Sequence, residues 1–282
     1  MPTRYLKHLV VFLSLAALFS SSAAAAFDQS HAAWDALLKK HVVVIDGGTA
    51  SRVDYVGFAA EEPALKGYLA TLSGVSAADF QRWTKAQQIA FLLNAYNAFT
   101  IEKVLTRYPH LKSIRDFGLI FGNPWRDTFF TLFGSPADLD DIENMLRARG
   151  RYDEPRIHFA LNCASIGCPM LRPEAYVAAR LDAQLDDQAR RFLSDRTRNR
   201  YDPASGKLEI SRIFDWSGED WQRGYTGFAG TLASIRSRRA YLARYAKLLA
   251  DTPEARAAIV NMKADISFLD YDWSLNDVRR AP

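Results

Sequence analysis

The chain is poor in the residues that would settle its function quickly. Its 282 residues hold two cysteines and five histidines. Two cysteines exclude a disulfide-dense scaffold. Their Cys-x4-Cys spacing, without clustered histidines, is a poor zinc pattern, so neither metal nor cofactor is expected. Charge of one sign is also lacking: 36 Lys and Arg stand against 32 Asp and Glu, a formal net charge of +4. Arg147, Arg149, Arg151, Arg190 and Arg191 are interleaved with acids, as on solvated helix faces, so nucleic acid is not an expected partner. No internal repeat, low-complexity linker or Pro/Ser-rich hinge divides the chain. Asp215-Trp216-Ser217 and Asp272-Trp273-Ser274 look repetitive, but their flanks do not match. One globular domain is expected over residues 27–282.

Long apolar runs are scarce too. The one at the start, Leu9 to Ser20, follows basic Arg4, Lys7 and His8 and precedes Ser21-Ser22-Ala23-Ala24-Ala25-Ala26. That order is the order of a signal peptide, with a small-residue cut before Phe27. The run is shorter than the roughly 20 residues that span a bilayer. No cysteine follows it to accept a lipid. The expectation is a signal peptide over 1–26, a periplasmic or secreted protein, and no stable membrane insertion after cleavage. Losing Arg4 and Lys7 lowers the formal charge from +4 to +2.

Helical periodicity dominates what is present. It predicts helices at Trp34 to Lys40, Ala77 to Tyr108, Pro136 to Arg149, Pro173 to Leu193, Thr231 to Ala250 and Pro253 to Met262. Strand patterns are shorter: Val42 to Ile45, Arg52 to Val56, Thr128 to Phe133, Ile157 to Leu161 and Lys207 to Ile210. The mixture predicts an α+β fold, helix-rich, with a small antiparallel sheet.

The segment Ile89 to Leu105 is apolar nearly all round, the pattern of a helix buried on most sides. Gln87, Asn94 and Asn97 interrupt it on one stripe. Unpaired amides in a dry core cost about 1–3 kcal/mol each, so these must have partners. They form either a structural network tying the helix to a loop or a cleft wall that presents amides to a ligand.

Both cysteines lie in His158-Phe159-Ala160-Leu161-Asn162-Cys163-Ala164-Ser165-Ile166-Gly167-Cys168-Pro169. Read as strand followed by loop, the block perches Cys163 where a nucleophile is well placed. A Cys163–His158 dyad then meets a geometric obstacle. Five strand residues span about 16 Å, whereas a base must approach its nucleophile to roughly 3 Å. The dyad needs a sharp reversal, or another histidine such as His110. The competing reading is a Cys163–Cys168 disulfide. In an oxidising compartment nearby thiols tend to pair, and a gap bent by Gly167 can bring the Cα atoms inside the ~7 Å bridging limit. The pair is expected to be oxidised in the mature protein. The acid and tryptophan groups, Asp215, Glu219 and Asp220 with Trp216 and Trp221, and Asp270, Asp272 and Asp277 with Trp273, read either as loop caps with packing tryptophans or as binders of sugars or cations.

The segments Gln88 to Thr100, Ser113 to Asp116, Asp141 to Glu143, Ile157 to Pro169, Ile213 to Trp216 and Tyr271 to Asn276 together resemble the family catalogued as domain of unknown function 547. The resemblance implies a bacterial exported protein with a shared site containing Asn94, Asn97, Glu143, His158 and Cys163, and it implies no substrate. It departs at Asn144, where the family's Ile-Glu block typically continues with histidine.

Two functions are carried forward. One is a cysteine-dependent hydrolase or acyl-transferase acting on an amide or thioester. In it Cys163 attacks, His158 or His110 takes the proton, and Asn94 or Asn97 orients the base or the oxyanion, with Asn94, Asn97 and Glu143 binding substrate. The other is a non-catalytic envelope module that binds a small molecule or peptide and uses Cys163–Cys168 as a structural disulfide.

Overall fold

The computed structural model describes residues 26–118, 123–222, 227–230 and 235–279. The leader expected over 1–26 lies, but for Ala26, outside the described residues. From Phe27 the chain enters α1 (Ala32–His41), and a hairpin of β1 (Val42–Ile45) and β2 (Ala50–Val53) follows. Asp54 ends β2 early because its side chain caps α2 (Tyr55–Ala60), accepting from the Gly57 amide at 3.0 Å. Next come α3 (Glu62–Ser73), α4 (Ala77–Arg82) and the central α5 (Lys85–Leu105). The single helix expected over 77–108 is two helices. Trp83 and Thr84 are extended, and Thr84 starts a new helix by a reciprocal capping box with Gln87. Gln87 is thereby occupied at the helix start and does not join the buried stripe. Every residue from Gln88 to Val104 is buried, as the all-round apolar pattern requires.

A short hairpin, β3 (Phe130–Leu132) and β4 (Ser135–Ala137), takes the first residues expected to be helical. The helix there, α6 (Leu139–Arg147), starts at an Asp138–Asp141 capping box. The strand expected at Ile157 to Leu161 is instead a 3₁₀ helix, Pro155–Phe159. Pro155 presets its first turn, and Glu154 caps the Arg156 amide at 3.1 Å. The buried Arg156 guanidinium is held by Glu154 Oε2 and Asp182 Oδ1, both at 2.7 Å.

Helix α7 (Leu181–Ser194) begins eight residues later than the sequence pattern suggests. Residues 175–177 find their backbone partners elsewhere: Asn94 pairs with both polar groups of the Tyr176 backbone, and Gln184 with the Ala175 carbonyl and Val177 amide. Then follow β5 (Arg200–Asp202), β6 (Lys207–Ile210), α8 (Ile213–Trp216), α9 (Arg238–Arg244), α10 (Ala246–Leu249), α11 (Pro253–Val260) and β7 (Asp265–Phe268). Part of the helix expected over 231–250 lies outside the described residues, and the rest breaks at Tyr245.

The class is α+β, as expected. Among the described residues the strands form three small sheets rather than one. β1–β2 and β3–β4 are antiparallel ribbons; β5–β6–β7 pairs antiparallel and then parallel, Lys207 opposite Asp265. Two apolar clusters fill the interior. One surrounds α5; the other groups Phe159, Phe192, Phe214, Trp221 and Tyr241 under α7, α9 and β6. Among the described residues no helix is long and apolar enough to cross a membrane.

Candidate functional site

The site is built around the cysteine loop, and buried asparagines fix its shape. Asn97 reaches from α5 to both ends of one turn: its Nδ2 donates to the Ala160 carbonyl at 3.0 Å and its Oδ1 accepts from the Asn162 amide at 2.9 Å. Asn162 closes the loop, donating to the Pro169 carbonyl at 2.8 Å and accepting from the Ala164 amide at 3.1 Å. Ala164 sits at φ 63°, a left-handed conformation that a non-glycine residue adopts at a cost, and it follows Cys163 directly. Cys163 and Cys168 are bonded to each other, with Cα atoms 6.1 Å apart.

The C-terminal segment zips onto this loop. The Gly167 and Ile166 amides each donate at 2.8 Å, to the Asp272 and Ser274 carbonyls, and the Asn276 amide donates to the Ala164 carbonyl at 3.1 Å. Gly167 is required here, because a Cβ at this position would stand 2.9 Å from the Tyr271 ring. The ring therefore packs close on the loop, and its hydroxyl reaches Cys163 Sγ at 3.1 Å and Cys168 Sγ at 3.0 Å. Disulfide sulfurs carry no proton, so the phenol is the donor to both. Burial pushes this phenol well above its usual range and keeps it protonated.

The loop forms one wall of a cleft of about 640 Å³. Tyr96, Trp125, Trp216, Tyr271 and Trp273 supply its aromatic surface, and Arg115, Asp140, Glu143, Arg147 and His158 its polar groups. Trp216 packs at a tilt on Tyr271 and Trp273, with ring centroids at 4.9 and 5.4 Å, yet is 51% exposed. The Arg115 guanidinium lies 5.2 Å over the Trp273 ring.

At another wall, His158 Nε2 is 2.9 Å from Asp220 Oδ2, and Arg147 Nε donates to the same oxygen at 2.6 Å. Arg147 also reaches Glu143 Oε1 at 3.3 Å. Burial would raise the Asp220 carboxyl, but the His158 and Arg147 contacts outweigh it and hold the group below the ordinary carboxylate range.

The structure brings Cys163, Cys168, His158 and Glu143 to one cleft. It does not bring Asn94 or Asn97 to the lining of that cleft: both amides are buried and hydrogen-bonded to backbone groups. His110 and Asn144 are exposed and do not line the cleft. Asp272 and Asp277 act largely as turn caps, accepting from the Ser274 and Arg279 amides. Trp125, Asp140 and Arg147 carry no sequence pattern that marks them as site residues, whereas Tyr96 and Arg115 stand inside the segments that carry the family resemblance without being singled out by it. Among the described residues no group of three or more His, Cys, Asp and Glu is arranged to hold a metal ion.

Residues 80–193 match the family model described as protein of unknown function, DUF547. The matched stretch holds α5, α6 and the cysteine loop. Trp216, Tyr271 and Trp273 complete the cleft from outside it, and Asp220, which holds His158, also lies outside it. No curated protein and no solved structure matches the chain.

Proposed function

We propose that the chain is an exported binding protein whose cleft takes a small molecule or peptide and whose Cys163–Cys168 disulfide holds the cleft wall in shape. The carrying observation is the aromatic cluster of Trp125, Trp216, Tyr271 and Trp273, with Trp216 half exposed in a pocket that also holds both carboxylates and guanidinium groups. A mostly apolar concavity with a few convergent polar groups is the ordinary form of a ligand site. Export is supported by the leader pattern. It is compatible also with Phe27, which packs at 5.2 Å on Phe91 and 5.4 Å on Trp83, so that cleavage before it leaves a first residue packed against the core. Titration of the secreted protein with a panel of peptides and oligosaccharides, followed by tryptophan fluorescence, tests the reading. Saturable quenching that Trp216→Ala abolishes is expected, and a panel without saturable binding overturns it.

A second reading is favoured by one observation: His158, held by Asp220, lines the same cleft as Cys163. Once the disulfide is reduced, Cys163 would be a nucleophile of a hydrolase or acyl-transferase, with His158 as its base. Iodoacetamide labelling of the reduced protein across pH is the test. A Cys163 thiol titrating near the unperturbed value of about 8.5 counts against it.

A further inference from the structure

The two sulfurs of the disulfide are not equivalent. Cys168 is 3% exposed, and its Sγ accepts from the Cys163 amide at 2.9 Å and from the Tyr271 hydroxyl at 3.0 Å. Cys163 is partly exposed; both cysteines line the cleft and the Tyr271 hydroxyl also reaches Cys163 Sγ at 3.1 Å, so burial and the Cys163 amide are what set Cys168 apart. In thiol–disulfide exchange the attacked sulfur must be reachable and the departing sulfur must bear negative charge. A hydrogen bond to a charged acceptor is roughly twice as strong as one to a neutral acceptor. Both donors at Cys168 therefore strengthen as its sulfur becomes a thiolate, so they favour the transition state over the resting disulfide.

These donors are also held in place before any reaction. The Cys163 amide is set by Asn162, which caps the turn, and by left-handed Ala164. Tyr271 is pinned between Gly167, Trp216 and Trp273. None of this is needed to staple a six-residue loop.

We propose that the cleft is a thiol–disulfide exchange site, in which Cys163 is attacked by the thiolate of an incoming dithiol and Cys168 leaves. The incoming sulfur forms a bond to Cys163 Sγ. The Cys163–Cys168 bond breaks, and its electron pair goes to Cys168 Sγ, which becomes the thiolate held by Tyr271 and the Cys163 amide. The second thiolate of the dithiol then attacks its own sulfur in the mixed disulfide and releases Cys163 as a thiolate. The dithiol leaves as a disulfide, oxidised by two electrons. The chain is reduced by the same two, and the two protons of the dithiol end on Cys163 and Cys168. Tyr271 touches the departing sulfur and is a catalytic residue of this step. The proposal does not depend on the ligand-binding reading: loss of peptide or oligosaccharide binding leaves it standing.

The experiment is reduction of the oxidised full-length mature protein by dithiothreitol, with rates compared to those of the disulfide-closed peptide spanning 163–168. A protein rate at least about tenfold above the peptide is expected, and a rate equal to the peptide or below it overturns the proposal. Tyr271→Phe keeps the ring packing and should slow the protein roughly tenfold, the effect of one charge-assisted hydrogen bond. An unchanged rate in a folded Tyr271→Phe protein also overturns it. Should that variant fail to fold, the site of attack decides. With reduced glutathione, quenched in acid, peptide mapping should find the adduct on Cys163. An adduct on Cys168 reverses the assigned roles and sinks the mechanism.

Discussion

Asp220 Oδ2 is shared between His158 Nε2 at 2.9 Å and Arg147 Nε at 2.6 Å, so one carboxylate ties the 3₁₀ helix of the cysteine block to α6. Burial opposes its ionisation, yet the His158 and Arg147 contacts hold its pKa below the ordinary value. For a depressed carboxyl, stability is fully present above the unfolded-state pKa and is lost as pH falls through the folded one. Unfolding by urea should therefore show a loss of stability below about pH 4. Asp220→Asn should remove that portion of the acid sensitivity and cost about 1–3 kcal/mol at pH 7.

His31 gives a second, separate pH dependence. It is 1% exposed, its Nδ1 lies 2.7 Å from the Tyr68 hydroxyl, and its Nε2 has no hydrogen-bond partner among the described residues. Burial pushes its pKa down from 6.5 to about 4. The unfolded chain then binds a proton that the folded chain refuses between these values, so stability falls as pH drops from 6.5 towards 4 and is constant in this respect below. The loss is on the order of 3 kcal/mol. Asn tolerates the left-handed backbone of residue 31, and His31→Asn should flatten the curve over that window.

Asn97 is predicted to act on stability rather than on ligands. Asn97→Ala leaves the Ala160 carbonyl and Asn162 amide buried without their partner. Roughly 2–4 kcal/mol should be lost, read as a lower denaturant midpoint with an unchanged slope. Weakened ligand binding in a variant of undiminished stability would show that this amide faces the ligand after all.

The disulfide itself closes a short loop. By the chain-entropy relation its reduction should cost about 2 kcal/mol. Mass spectrometry of the unreduced, alkylated protein should find neither cysteine modified. Gly167→Ala should cost a further 1–3 kcal/mol, roughly, because its Cβ meets the Tyr271 ring at 2.9 Å.

What the sequence determined by itself was whatever depends on neighbours along the chain. The apolar run of α5 could only be a buried helix, whatever packed on it. Val42 to Ile45 and Lys207 to Ile210 read as strands because β-branched and alternating residues end at turn chemistry. Two cysteines with four residues between them, one a glycine, could reach each other without help. The elements that failed are those whose backbone is satisfied from a distance. Residues 175–177 had helical periodicity but were claimed by Asn94 and Gln184, and Ile157 to Leu161 alternated like a strand but had no strand to pair with. Helices α2 and α3 and strands β4, β5 and β7 were too short or too weakly patterned to stand out locally. The site divides in the same way. Cys163 and His158 could be named from chemistry alone, and Asp220 and Tyr271 stood in segments that drew notice, but which residue acts on which could not be read. Tyr271 stands 108 residues from Cys163, and Asp220 62 residues from His158. Periodicity is a property of local geometry and carries no record of such meetings; packing of the C-terminal segment on the cysteine loop makes them.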